Sequence, residues 1–554
     1  MATASGAPDL QSASYPCHKS IAEWIKTCEE THPECRAVVG EHPARLLDLG
    51  NLEIGNIKLV QSVRPEKYVA LSHRWGSTTW CSTTTDNLQD RLLAIEWDGL
   101  AKTFQDAVTV TKQQGIRYLW IDSLCIIQDD VSDWKKESVK MAGIYRGAHF
   151  TLAASLSLSD DDGFLHPRWE REVYSSKHLD ITFAGKTYTD IWTRVTHDLR
   201  QHSFYDVKEV LATRCWTMQE RMLSSRLVSV TSAVTFDCAS MAACECGHDL
   251  YPDPLYPPLP MLRGVDNKLA FLSLLKNEAQ SIQKMYSTWK DIVTVYSGRH
   301  LTYESDRQVA LSAIAKLLAE KYQAEYVAGL WRGDLVTGLC WRSDLDLPAI
   351  KSLGSDPLRP SWSWLAARRL VYMPDLTLNP SCLVRSVEVT NGNYDDSGPP
   401  QGYIKLTAPT GVVILYMEKQ FQPNESENKS PSPSFELRAA HGRPVSGAET
   451  LELHLDAWLE PCRVVDTMGN KLTSARRATA VTVPEATFSS KVWALHLGWD
   501  EVNSQPSRLH YFVLIGALEG QGQYERIGCL RGKITDEVIH EWLGHNSHQE
   551  IVIF

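Results

Sequence analysis

Three short apolar runs separated by helical patterns constrain the fold of this chain more than anything else in it. Tyr68 to Ser72 reads as a buried strand, and Phe104, Ala107, Val108 and Thr111 then recur at i, i+3, i+4 and i+7 on one helix face. Thr103 and Asp106 have the spacing of a capping box at that helix start, and Gln114-Gly115 is a stop signal. Arg117 to Ile121 is a second strand, a helix spans about 133–146, and Phe150 to Ala154 is a third strand. Strand, helix, strand at these lengths implies parallel neighbours joined by right-handed crossovers. The expected fold is therefore α/β, an open parallel sheet flanked by helices.

In such a sheet ligands gather outside the carboxyl ends of the strands. The first strand runs into His73, Arg74 and Trp75, and the second, through Trp120, into Asp122, Ser123 and Cys125. His73 has the chemistry of a proton carrier near neutral pH, and Asp122 is placed to orient it. Cys125 is either a nucleophile or a small core thiol. On the helix that follows, which begins near Trp134, Glu137 shares an arc with Met141, Ile144 and Tyr145. A carboxylate on a core-facing arc is costly unless paired or set at a cleft. It pairs with Arg74, Arg117 or Arg214, or it acts on substrate. A later helix, about 205–223, carries Arg214, Gln219 and Glu220 at spacings that could reach a ligand or tie the helix to the sheet.

Composition excludes several classes. The 554 residues carry a formal charge of −11 without a Lys/Arg-dense block, so nucleic acid is not an expected partner. No apolar run is long enough for a membrane span, and residues 1–16 lack the layout of a secretory signal. The expected place is the cytoplasm, where the 13 cysteines would stay reduced. Cys28-x3-His32-x2-Cys35 has metal-like spacing, but structural zinc takes four ligands and only three are local, so packing is the reading adopted. Cys17 lies before that helix. Cys238, Cys244, Cys246 and His248 form a tighter group of no recognised spacing, and no metal is expected. His540-Glu541-x3-His545 has one residue too many for a zinc-protease helix, and neither a dinucleotide fingerprint, a P-loop nor a nucleophile elbow is present.

The chain divides into an N-terminal extension (1–66), the α/β domain (67–240), a helical and mixed segment (241–375) and a β-rich C-terminal region (376–554). Helical periodicity spans about 267–296 and 305–322. Residues 251–260 are a Pro-rich loop, and 422–434, with the glycosylation-like Asn424 and Asn428, read as a disordered loop. The 18 tryptophans are the least ordinary count in the composition.

Taken together, Tyr68 to Gly76, Ala101 to Ala107, Tyr118 to Asp129, Asp133-Trp134-x-x-Glu137, Met141-x-x-Ile144-Tyr145 and the helix Arg214 to Glu220 strongly resemble the fungal heterokaryon-incompatibility (HET) domain. Leu301 to Ala315, Gly329 to Trp331, Leu339 to Trp341 and Pro360 to Trp364 look like later segments of long HET proteins, with a weaker likeness at Tyr524 to Gly528. At the first strand end, His73 and Arg74 stand where the family usually has Tyr and Cys. The resemblance implies fungal non-self recognition leading to cell death, and a TIR-like or flavodoxin-like core. TIR enzymes split nicotinamide from NAD with a helix glutamate, a position that Glu137 matches; NAD is then a substrate and no cofactor is required. Trp75, Trp120 or Trp134 would stack on its rings, and Arg74 or Arg214 would hold pyrophosphate. Two other readings stay open: a specialised enzyme (cyclase, isomerase or hydrolase) acting on a small secondary metabolite through His73, and a non-enzymatic module that self-associates.

Overall fold

The computed structural model describes residues 18–35, 42–50, 57–76, 80–165, 177–183, 186–193, 210–231, 234–244, 263–276, 279–343, 359–367, 370–393, 401–418, 434–439, 451–455, 459–465, 471–477, 488–500, 508–517, 523–543 and 548–554. The Pro-rich 251–260 segment lies outside them, as do Cys17, residues 205–209 of the expected helix, Cys246, His248, Asn424, Asn428 and His545. So does the loop expected over 422–434, apart from Ser434, which opens a strand. The chain forms two compact units, Met1–Glu278 and Ala279–Phe554.

The first unit begins with α1 (His18–Thr31), β1 (Arg45–Asp48), β2 (Lys58–Gln61) and β3 (Val69–Ser72). Next come α2 (Leu88–Leu93), α3 (Lys102–Gln113), β4 (Tyr118–Trp120), α4 (Asp122–Cys125), α5 (Val131–Gly147) and β5 (Phe150–Ala153). A separate hairpin, β6 (Lys177–Phe183) and β7 (Lys186–Thr193), precedes α6 (Cys215–Leu223). The unit closes with β8 (Arg226–Val230), β9 (Val234–Cys238), β10 (Ala242–Cys244) and α7 (Arg263–Lys276).

Eight of these strands make one sheet in the order β10-β9-β8-β5-β3-β4-β1-β2. Its centre, β4-β3-β5-β8, is parallel: Val69 pairs with Leu119 on one side and Phe150 on the other, and Thr151 pairs with Leu227. Both edges are antiparallel. The all-parallel expectation is corrected to a mixed sheet, because the turn between β8 and β9 is too short for a crossover and can only reverse the chain. Arg226–Val230 and Val234–Cys238 are the two arms of that hairpin.

The parallel centre is almost wholly buried, as its largely apolar runs require: Val69, Ala70, Leu71, Leu119, Trp120 and Leu152 are inaccessible to solvent. Phe104, Ala107, Val108 and Thr111 of α3 are buried, and α3 stops where expected, with Gly115 at φ 70°. The capping box does not form. Thr103 instead accepts from Gly163 N–H and donates to the Ser159 carbonyl, and Asp106 accepts from Phe164 and Leu165 N–H, so the pair fixes the loop after β5. Asp130 caps α5 by accepting from Ser132 and Asp133 N–H.

The second unit opens with helices Ile282–Ser297 and Asp306–Tyr322 and continues into an eleven-stranded, β-rich region. Several of its tryptophans are structural. Trp289 and Trp364 both donate their indole N–H to the Gly329 carbonyl, at 3.0 and 2.8 Å, and Trp341 donates to the Trp362 carbonyl. Gly329 sits at φ 88°, where a Cβ would lie 2.6 Å from Trp364 Nε1, so only glycine fits. Strand Gln401–Glu418 pairs along its length with residues 383–390, 434–439, 488–495 and 548–553. No helix among the described residues is long and apolar enough to cross a membrane.

Candidate active site at the strand ends

The parallel strands deliver their polar tails to one rim. From β3 comes His73, whose side chain is almost wholly buried; its Nδ1 lies 3.6 Å from Asp122 Oδ1, beyond β4, and its Nε2 lies 3.2 Å from Asp160 Oδ1, beyond β5. Neither contact is aligned as a hydrogen bond, so the imidazole is held between two carboxylates chiefly by charge. Its ring and that of Phe104 form a T-shaped pair with centroids 5.0 Å apart. Both carboxylates are steadied from outside. Trp75 donates its indole N–H to Asp122 Oδ2 at 2.7 Å, Ser123 N–H reaches Asp122 Oδ1 at 2.7 Å, and Gly76 N–H reaches Asp160 Oδ2 at 3.1 Å.

A third carboxylate faces this group from α6. Glu220 is buried, and its Oε2 has no hydrogen-bond partner among the described residues. Burial pushes its pKa up to about 7, Asp122 adds to the rise, and the Ser72 side chain, Arg214 and His73 pull it back. His73 moves the same way. Burial opposes its charge, but Asp122, Asp160 and Glu220 outweigh that and hold its pKa above the ordinary value. Tyr145 of α5, packed edge-on against Trp120 at 5.5 Å, is kept a neutral phenol by burial and by Glu220 and Asp122.

These shifts carry a sign. Glu220 holds its proton more tightly folded than unfolded, so stability falls as pH rises from the unfolded value near 4.5 through about 7. His73 contributes stability that is complete below about 6.5 and is lost as pH climbs through its higher folded value. Both act in one direction. Stability of the first unit should drop by up to about 3 kcal/mol between pH 5 and 8, and Glu220→Gln should flatten that slope. Denaturant titrations of both proteins across this range test it; parallel slopes would overturn it.

Of the residues expected at the rim, His73, Asp122, Trp75 and Glu220 come together, with Arg214 acting on Glu220 through charge. Ser123 and Trp120 are buried beside them, each with a polar atom lacking a partner among the described residues, and Gln219 is buried likewise. Arg74 and Trp134 are exposed. Cys125 is buried and its thiol is pushed up to about 12, which favours the core-thiol reading over a nucleophile. Glu137 lies on the buried arc as expected, yet none of the arginines considered for it is its partner. Lys140 Nζ lies 2.7 Å from its Oε1 and Ala44 N–H donates to its Oε2 at 3.0 Å. It fastens the approach to β1, which lies beyond β4 from His73. Arg117 instead pairs with both oxygens of Asp48, at 2.7 and 2.8 Å.

Asp160 is a rim residue that the tails of the first two strands do not include. β5 is parallel to β3 and its tail turns toward the same rim, but Asp160 stands seven residues beyond the strand, out of reach of the strand-end rule. Away from the rim, Cys28, His32 and Cys35 meet Cys238 of β9, with all four donor atoms within 4.8 Å of one another.

Fold and site together define a class: an open-sheet α/β domain with a buried, charge-dense centre at the carboxyl ends of its parallel strands. Residues 68–220 match the family model described as heterokaryon incompatibility protein (HET). These residues form a HET domain. No curated protein and no solved structure matches the chain.

Proposed function

We propose that the strand-end cluster is an acid–base centre acting on a polar small molecule, with His73 as proton donor and Glu220 as proton acceptor, and that its turnover drives incompatibility-type cell death. One observation carries the reading. Two proton carriers whose pKa values are both displaced toward or above neutrality face each other in a buried site, and Glu220 Oε2 has no hydrogen-bond partner among the described residues. Groups tuned this way suit general acid–base work near neutral pH. Asp122 and Asp160 would hold the imidazolium in place, and Trp75, half-buried beside Asp122, would offer a face to a planar ligand.

NAD is the first substrate to test. The TIR-like reading draws support from the parallel centre of the sheet, but within it Glu220 suits the catalytic role better than Glu137, whose two oxygens are held by Lys140 and Ala44. Cleaving the ribosyl bond by water gives nicotinamide and ADP-ribose through an oxocarbenium-like state that a nearby carboxylate stabilises. The purified chain is expected to release nicotinamide from NAD, with His73→Gln and Glu220→Gln each slower by at least about 100-fold and Glu137→Gln retaining its rate once folded. Without nicotinamide release, the same three variants expressed in a fungal host separate the remaining readings. Loss of toxicity in the first two alone supports the centre acting on another metabolite; full toxicity in all three assigns the cluster to packing and the activity to assembly.

A further inference from the structure

At the opposite end of the sheet from His73 lies a second group that the rim chemistry does not use. α1 and the turn after it present Cys28, His32 and Cys35, drawn together by backbone bonds from His32 N–H to the Cys28 carbonyl and from Cys35 N–H to the His32 carbonyl. Cys238 comes from the end of β9, opposite Arg226 at the start of β8. His32 Nδ1 and Cys238 Sγ are 206 residues apart in sequence and 3.5 Å apart in space. All four donor atoms lie within 4.8 Å of one another, and Cys28, Cys35 and Cys238 are buried.

We propose that Cys28, His32, Cys35 and Cys238 bind one structural zinc ion that fastens α1 to the antiparallel edge of the sheet. A tetrahedral zinc with bonds of about 2.3 Å to sulfur and about 2.0–2.1 Å to nitrogen puts the two atoms about 3.5 Å apart, which the His32–Cys238 distance meets. Three thiolates and one imidazole are soft donors, suited to zinc and unsuited to magnesium or calcium. Four protein ligands leave no open position, the mark of a structural rather than a catalytic site.

The surroundings are arranged for thiolate sulfur. Arg226 Nε donates to Cys28 Sγ at 3.2 Å, and Ser240 and Met241 N–H donate to Cys238 Sγ at 3.4 and 3.2 Å. Such donors spread the negative charge of a zinc–thiolate centre and fix its ligands. Arg226 also donates to the His149 carbonyl, which ties the site to the start of β5. Trp24 of α1 packs against Phe236 of β9 with ring centroids 6.1 Å apart, so the ion would complete a contact that side-chain packing has begun.

The test is metal analysis of the full chain purified under reducing conditions. Wild-type protein is expected to carry about one zinc per chain, Cys238→Ser to lose it, and Cys382→Ser, in the other unit, to keep it. Should Cys238→Ser fail to fold, two readouts on the wild-type chain decide. Cobalt exchanged into the site should give thiolate charge-transfer absorption with the intense d–d bands of tetrahedral geometry. Cys28, Cys35 and Cys238 should resist alkylation until a chelator is added. Wild-type protein without stoichiometric zinc, zinc unchanged in folded Cys238→Ser, or a disulfide within the trio found by non-reducing peptide mapping would each overturn the site.

Discussion

Asp237→Asn is expected to lower the stability of the first unit by about 3–5 kcal/mol. The carboxylate, on β9, takes Lys268 of α7 on one oxygen and Arg221 of α6 on the other, at 2.7 Å from Arg221 Nη2. Lys268 is buried, and burial together with Arg221 pulls its pKa down against the support of Asp237. With the carboxylate gone, two cations face each other without an anion between them. Lys268 must then lose its proton or drag water inward, and either costs free energy. Denaturant unfolding followed by a probe in the first unit measures the loss. The double variant Asp237→Leu with Lys268→Met should recover most of it, because it removes the charges together. A single variant within about 0.5 kcal/mol of wild type would show that the network carries no such weight.

Arg526→Met should destabilise the second unit by about 3–4 kcal/mol. Arg526 is completely buried. Its guanidinium carbon sits over the Trp341 ring, 3.6 Å from the centroid, and the group donates to the carbonyls of Leu339 and Trp341, while its backbone N–H donates to Ser361 Oγ at 2.8 Å. Methionine keeps much of the volume but leaves two buried carbonyls without these donors and removes the cation from the indole face. Arg526→Lys restores the charge without the planar fork, so it should recover only part of the loss. Thermal and denaturant unfolding of the three proteins gives the order wild type, lysine, methionine; a methionine variant as stable as wild type would contradict it.

The parts of this fold that can be read in the sequence are those with a period. The runs at 69–72, 118–120 and 150–153 are almost wholly buried and so are mostly apolar, and the helical spacing of α5 is enough to place Glu137 in the interior. The edges cannot be read this way: β1 and β2 have four residues each, too few to show alternation. The strand-end rule finds His73 and Asp122 because both sit directly on strand tails. It does not find Asp160, seven residues past the end of β5, since that distance is set by a loop whose shape depends on Asp106 and Thr103 of another helix. Glu137 illustrates a different limit. One of its partners is the backbone N–H of Ala44, a group every residue but proline possesses, so no side-chain pattern could announce it. Cys238 is hidden from its three companions by sequence distance alone.

The strand Gln401–Glu418 sets an order of events during synthesis. Ile404, Leu406 and Ala408 are fully buried, and this half of the strand pairs with residues 548–553. A ribosome must therefore make more than a hundred further residues before that partner exists. Through that interval an apolar strand stands with one edge open to any other extended chain, the condition under which nascent proteins aggregate. The first unit meets no such delay, because every strand of its eight-stranded sheet has been made by residue 244. All strands of the first unit's sheet are thus made while, in the second unit, a strand still waits for a partner that has yet to be translated.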